Sequence, residues 1–133
     1  MEVRMPTTEE ITLMSHLLRR AGFGASRAEI EAKAGNGYES TVEELLNTDS
    51  EAAVDESMLY RYLPMTEVAF SQVQGVTHWL YYMIHTNHPL QEKLALFYHH
   101  LFATGDAKVD APNHMLQQIQ MFRDHGMGSY RDL

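Results

Sequence analysis

Apolar residues recur along most of this chain at intervals of three and four positions, the spacing of one face of an α-helix. The first such run consists of Ile11, Met14, Leu17 and Leu18. Thr7 and Glu10 precede it with the spacing of a capping box, in which each side chain accepts a hydrogen bond from the other residue's backbone N–H. Gly22 follows the run and is a common helix terminator. We therefore predict a first helix between Thr7 and Gly22.

Two shorter helices and a linker are predicted next. Ser26 and Glu29 repeat the capping-box spacing and open a second helix, which is expected to end at about Ala34, before two glycines. A third short helix is expected around residues 40–46, with Val42, Leu45 and Leu46 facing inward. Polar and acidic residues at about 47–57 predict a surface linker. Residues 58–63 have no unambiguous pattern.

Three longer helical patterns fill the rest of the chain, at residues 67–85, from residue 89 to a loop at 105–110, and at 112–125. The predicted inner positions are Val73, Val76, Trp79, Leu80, Met83 and Ile84 on the first, Leu90, Leu94, Phe97 and Leu101 on the second, and Met115, Ile119 and Phe122 on the third. Residues 129–133 resemble the first turn of a further helix. The pattern predicts an all-α fold, an irregular bundle of about six helices with short loops. We expect residues 1–133 to form a single helical region that is an incomplete N-terminal part of a larger helical protein.

Composition narrows the classes of function. The formal net charge of −8 argues against binding to nucleic acid, whose phosphates attract a basic surface. Cysteine is absent, which excludes thiolate metal sites and a cysteine nucleophile. No apolar stretch is long enough to span a membrane, and the N-terminus lacks the apolar run of a signal peptide. A soluble, cytoplasmic protein is the expectation from these features.

The adjacent histidines His99 and His100 are the clearest local signal of chemistry. We expect the helix that begins at Pro89 to be central and to send both imidazoles into the interior. Neighbouring residues on a helix diverge by about 100°, so a divalent transition metal bound here would need ligands from other segments. Candidate donors are His114, Asp106 and Asp110, and Glu92 is a candidate supporting polar residue.

A structural role for these histidines is the alternative from the same residues. An imidazole in a packed bundle often bridges helices through hydrogen bonds and has no catalytic task. A general base at His99 would require an ionisable group within hydrogen-bond reach, in a cleft. If further polypeptide covers the helix that begins at Pro89, leucine and phenylalanine side chains on that helix should be exposed in this chain by itself.

Three segments carry a resemblance to a known family. They are SHLLRRAGFGAS at residues 15–26, NHPLQEKLALFYHHLFATG at 87–105 and QQIQMFRDHGMGSYRDL at 117–133. In this order they resemble a bacterial family known as domain of unknown function 1800. Tyr98 stands where the family usually carries tryptophan, and Met127 stands where it carries a small residue.

The resemblance implies a large, predominantly helical protein of which this chain is the N-terminal part. It also implies that export is an alternative to a cytoplasmic location, and that a protein partner could be the sulfatase-like product of a neighbouring gene. It assigns no activity to any position.

Three hypotheses of function follow. The histidines contribute to a polar or metal site that sequence outside this chain completes. Alternatively, the chain is a structural or protein-interaction module without catalysis, whose mark would be an exposed apolar patch of roughly several hundred Å². A hydrolase with a histidine general base is the third.

Overall fold

The computed structural model describes residues 5–48, 54–62, 72–102, 105 and 112–133, and no β-strand occurs in these ranges. Their helices are α1 (Thr8–Ala21), α2 (Arg27–Asn36), α3 (Tyr38–Leu46), α4 (Ser57–Tyr62), α5 (Gln72–His85), α6 (Pro89–Phe102) and α7 (Pro112–His125), followed by a 3-10 turn at Tyr130–Asp132. The all-α irregular bundle is confirmed, with seven α-helices described where about six were predicted. The additional helix, α4, lies in the segment whose pattern was ambiguous. None of the described helices is long and apolar enough to cross a membrane.

Both predicted capping boxes are present. At the start of α1, the Thr7 backbone N–H donates to the Glu10 carboxylate at 2.8 Å, and the Glu10 N–H donates to the Thr7 hydroxyl at 3.2 Å. Ser26 and Glu29 form the same reciprocal pair at the start of α2. These two helix starts are encoded by residues three positions apart and need no tertiary contact.

The boundary between α2 and α3 differs from the prediction. Helix α2 continues through Gly35 to Asn36, and α3 begins at Tyr38, two residues earlier than expected. Gly37 alone separates the two helices with φ of 103°, a backbone conformation that favours glycine. Because one residue makes the turn, Gly35 can remain helical.

Buried apolar residues form two clusters. The first joins α1 and α2 through Met14, Leu18 and Ala34. The second joins the longer helices and consists of Trp79 on α5, Ala95 on α6, and Ile119 and Phe122 on α7. The inward faces predicted for α1 and α7 are therefore confirmed at their central residues. On α3 the prediction fails at Leu46, which is exposed, whereas Thr41 is buried.

The predicted inner face of α6 is wrong at Phe97 and Leu101, whereas Leu90 and Leu94, the other two predicted residues, are half-buried. Phe97 and Leu101 are 56% and 52% exposed, whereas Glu92 and Ala95 on another side of the helix are 2% and 0% exposed. The physical reason is that α5 and α7 offer hydrogen-bond donors to Glu92, which make burial of its carboxylate tolerable. The side of α6 that carries Phe97 and Leu101 is thereby turned away from α5 and α7.

Helix α5 shows a similar departure. Trp79 is buried and Met83 is half-buried, as predicted. The other predicted inner residues on α5 are exposed: Val73, Val76, Leu80 and Ile84. Most of the apolar side of α5 therefore lies outside the described core.

Gly22, at the end of α1, lies close to Pro89 at the start of α6. A Cβ atom at this position would lie 3.0 Å from Cβ of Pro89 and 3.2 Å from the Leu18 carbonyl oxygen. We expect Gly22→Ala to reduce the free energy of unfolding by about 1–3 kcal/mol, because the proline ring cannot move aside without shifting α6. Urea denaturation monitored by circular dichroism measures this change.

Gly35→Ala is the matched control, because a Cβ there meets no atom within 4 Å and the residue lies inside α2. Alanine should raise the free energy of unfolding by about 0.5–1 kcal/mol at that position. Equal effects of the two substitutions would contradict the close approach of α1 and α6.

Candidate functional site

The centre of the candidate site is the buried carboxylate of Glu92 on α6. It accepts a hydrogen bond from the indole Nε1–H of Trp79 on α5 at 3.0 Å. It also accepts bonds from Nε and Nη2 of Arg123 on α7, at 2.5 and 3.3 Å. One carboxylate thus links three helices.

Arg123 is buried, with 8% of the residue exposed, and its guanidinium has partners on each side. Its Nη1 donates to Oε1 of Gln120 at 3.1 Å, and its central carbon lies 4.5 Å from the ring centroid of Tyr82. The side-chain amide of Gln91 donates to the Arg123 carbonyl oxygen at 2.9 Å. Each nitrogen of the Arg123 guanidinium and each oxygen of the Glu92 carboxylate therefore has a hydrogen-bond partner, which makes burial of this ion pair tolerable.

A second carboxylate, Glu56, lies directly before α4. It accepts a hydrogen bond from the Tyr82 hydroxyl, and its Oε1 lies 3.9 Å from Nε2 of His78. The Tyr82 bond holds the pKa of Glu56 below its usual value, whereas burial and this carboxylate raise the pKa of Tyr82. Glu56 is therefore an anion and Tyr82 a neutral donor at neutral pH.

Two half-buried imidazoles, those of His78 and His99, lie beside these groups. The ring of His99 packs edge-to-face with Trp79, with 5.1 Å between ring centroids, and the ring of His78 lies 4.9 Å from that of Tyr82. Burial lowers the pKa of both histidines, although a hydrogen bond with Gln118 acts in the opposite direction on His99. Within the described part of the chain, the Nδ1 atoms of His78 and His99 are buried and lack a hydrogen-bond partner. The site thus holds imidazoles whose neutral form is favoured.

We name these residues the polar cluster: Glu56, His78, Trp79, Tyr82, Glu92, His99 and Arg123.

Most of the chain matches a known protein family. The model of the family described as "Protein of unknown function (DUF1800)" matches residues 16–133. The chain belongs to this family. Neither the curated proteins nor the solved structures include a significant match.

The match includes every member of the polar cluster in this DUF1800 protein, and it covers the three segments that carried the resemblance except for Ser15. The family description assigns no activity. Any function must therefore be argued from the residues themselves.

The structure separates the four site residues that the sequence suggested. Glu92 and His99 contact the same side chain, Trp79, but His100 is exposed. The expectation that both imidazoles face the interior is therefore wrong for His100, because adjacent helical residues diverge and only the His99 side faces α5. His114 is also exposed.

No group of three or more histidine, aspartate or glutamate side chains suited to a metal ion occurs among the described residues. The candidate donors Asp106 and Asp110 lie outside those residues. A metal site completed by other segments stays a prediction.

Sequence reasoning missed Arg123, the cation of the central ion pair. A signal was available, because Arg123 directly follows Phe122 and lies one helical turn after Ile119, on the predicted inner side of α7. An arginine at such a position requires a buried acid, and Glu92 was the candidate polar residue already identified. Glu56 lay in the predicted linker and gave no comparable signal.

Removing one charge of the central pair should be strongly destabilising. We expect Glu92→Gln to reduce the free energy of unfolding by about 3–5 kcal/mol, because the Arg123 charge remains buried without its partner. Replacing both residues, as Glu92→Leu with Arg123→Met, should cost less than the sum of Glu92→Leu and Arg123→Met made singly. Urea denaturation of the parent, these two single variants and the double variant measures the coupling.

The exposed pair of Arg27 and Glu31 on α2 supplies the control. Glu31→Gln should change the free energy of unfolding by less than about 1 kcal/mol. If Glu92→Gln is no more damaging than Glu31→Gln, the Glu92 carboxylate is not buried as described.

Stability should also fall in mild acid. The pKa values of His78 and His99 are lowered in the folded state, so the unfolded chain binds protons more readily as pH drops below about 6.5. The contribution of these two histidines to the free energy of unfolding is fully present above pH 6.5. It is lost as the pH falls towards their lowered pKa values. Glu56, whose pKa is also lowered, adds a further loss below its usual value of 4.5.

Unfolding free energies measured from pH 7.5 to 5 test this expectation. The double variant His78→Gln, His99→Gln should have a flatter profile than the parent, and the exposed His114→Gln should not. An unchanged slope in the double variant would show that neither imidazole is desolvated.

Proposed function

We propose that this DUF1800 protein is a helical interaction module in which α6 is a central helix. One side of α6 packs on α5 and α7 through the polar cluster, and the other side docks against a further polypeptide. The observation that carries the proposal is that Phe97 and Leu101 are more than half exposed on the helix that buries Glu92.

The outer side of α6 is apolar. Phe97 and Leu101 are its exposed residues, and Leu90 and Leu94 on the same side are half-buried. Leu96 and Phe102 are exposed on the two flanks of the helix, and no aspartate, glutamate, lysine or arginine follows Lys93 in α6. Monomeric proteins rarely leave contiguous apolar patches beyond a few hundred Å² in water, and each large apolar side chain gains roughly 1.5–3 kcal/mol on full burial. Burial of these side chains would therefore contribute substantially to the free energy of binding of a partner that covers this side.

Ring stacking supports a preformed docking surface. Phe102 stacks on the buried Phe122 with 5.7 Å between ring centroids, and Tyr130 stacks on Phe102 at 6.4 Å. The exposed rings therefore extend a series that begins in the core. A surface anchored in this way loses little conformational freedom when a partner binds.

The occupant that we favour is an apolar helical surface of the larger family fold that the resemblance implies. The sulfatase-like product of a neighbouring gene is the second candidate occupant.

The second candidate function is a polar or metal site that includes His99 and that other segments complete. The buried Nδ1 atoms of His78 and His99, without partners in the described residues, favour it. Elemental analysis after dialysis tests for a retained transition metal, which His99→Ala should lose. The hydrolase hypothesis has less support, because Gln118, which hydrogen-bonds His99, is not ionisable.

Polar substitutions on the outer side of α6 test the interaction module. We expect the parent chain to bind the apolar dye ANS and to self-associate as its concentration rises. Phe97→Gln with Leu101→Gln should reduce both effects and change the free energy of unfolding by no more than about 0.5 kcal/mol, because neither side chain contributes to the buried core. Dye fluorescence, analytical ultracentrifugation and urea denaturation measure the three quantities.

Tyr38→Gln with Leu46→Gln is the matched control, an aromatic and a leucine of similar exposure on α3. It should leave association unchanged. A parent chain that neither binds the dye nor associates would contradict the proposal, as would equal effects of the two double variants.

A further inference from the structure

Helix α4 packs less closely against the rest of the bundle than any other described α-helix. Each of the others packs along at least one neighbouring helix, whereas α4 does not. Of its six residues Leu59 is the buried one, and Met58, Tyr60 and Tyr62 are exposed. Because a helix this short has little stability of its own, its position depends on a small number of contacts.

The start of α4 is held by ring side chains on α5. Tyr81 and Tyr82 follow His78 by three and four positions and therefore lie on the same side of that helix. The Tyr81 hydroxyl donates to the Asp55 carbonyl oxygen at 2.7 Å, and the Tyr82 hydroxyl donates to the Glu56 carboxylate. Two phenolic hydroxyls thus fasten to α5 the two residues that precede α4.

The imidazole of His78 lies beside this attachment. Its Nε2 is 3.9 Å from Oε1 of Glu56, and its side chain is 12% exposed. Its ring lies 4.9 Å from that of Tyr82, which in turn contacts the guanidinium of Arg123. Departure of Glu56 would therefore expose the edge of the polar cluster at which His78 lies.

We propose that residues 54–62 are a strap that covers His78 when closed and that opens by itself while α5, α6 and α7 stay folded. Local opening requires least free energy where a segment has few tertiary contacts and is held by hydrogen bonds near the surface. The open strap gives water or a polar ligand access to the imidazole of His78, and the closed strap excludes them. This device depends neither on the docking side of α6 nor on a bound metal.

Limited trypsin digestion of the full 133-residue chain tests the opening. Arg61 is exposed on α4, whereas Arg123 is buried on α7. Cleavage within a helix requires that helix to unfold locally, so Arg61 reports on the strap and Arg123 reports on the three-helix contact. In low concentrations of urea, cleavage after Arg61 should depend only weakly on urea, because opening of the strap exposes little surface. Cleavage after Arg123 should rise steeply.

Removal of the two phenolic hydroxyls should favour the open strap. Tyr81→Phe with Tyr82→Phe keeps both rings and should raise the initial rate of cleavage after Arg61 about tenfold. Glu56→Gln, which removes the charge of the acceptor and keeps its length, should act in the same direction. Tyr38→Phe is the matched control, because Tyr38 is an exposed tyrosine on α3, outside the strap, and it should leave the rate unchanged.

Chemical modification at neutral pH tests what the strap covers. Diethyl pyrocarbonate modifies accessible neutral imidazoles, and mass spectrometry locates the modified residues. Relative to the exposed His114, His78 should react slowly in the parent chain and about tenfold faster in the double tyrosine variant. This increase should match the increase in cleavage after Arg61, because one opening exposes both residues.

Three results would overturn the proposal. Equal dependence on urea at Arg61 and Arg123 would show that residues 54–62 open only when the whole chain unfolds. A rate of cleavage after Arg61 that the double tyrosine variant leaves unchanged would show that the hydroxyls do not hold the strap. Faster cleavage with unchanged reactivity of His78 would show that the strap does not cover this imidazole.

Discussion

The buried ion pair between Glu92 and Arg123 is the interaction on which the rest of the described structure depends. A carboxylate can leave water only when charged and polar donors replace the water, and two donor groups do so here. Arg123 contributes two N–H groups and Trp79 contributes one. Because these donors belong to α7 and α5, Glu92 fixes the rotation of α6 between its neighbours.

That rotation determines both the polar cluster and the exposed apolar side of α6. Glu92, Ala95 and His99 recur at intervals of three and four and face α5 and α7, so the imidazole of His99 reaches the indole of Trp79. Phe97 and Leu101 are turned outward by the same rotation. The polar cluster and the exposed apolar side of α6 are thus two consequences of one contact.

The sequence predicted the features that depend on near neighbours. The two capping boxes require residues three positions apart, and the inner face of α7 follows from Ile119 and Phe122. The rotation of α6 could not be predicted in the same way, because several of its sides are apolar. Which side of α6 faces the core depends on Trp79 and Arg123, and these residues lie 13 and 31 positions from Glu92 along the chain.

The most direct measurement is hydrogen exchange at the indole N–H of Trp79. The chain contains one tryptophan, so this proton gives a single assignable resonance. This proton should exchange with solvent far more slowly than the indole N–H of free tryptophan, because it donates to a carboxylate inside the three-helix contact. Exchange at the rate of a solvent-exposed indole would contradict the burial of Glu92 between α5 and α7.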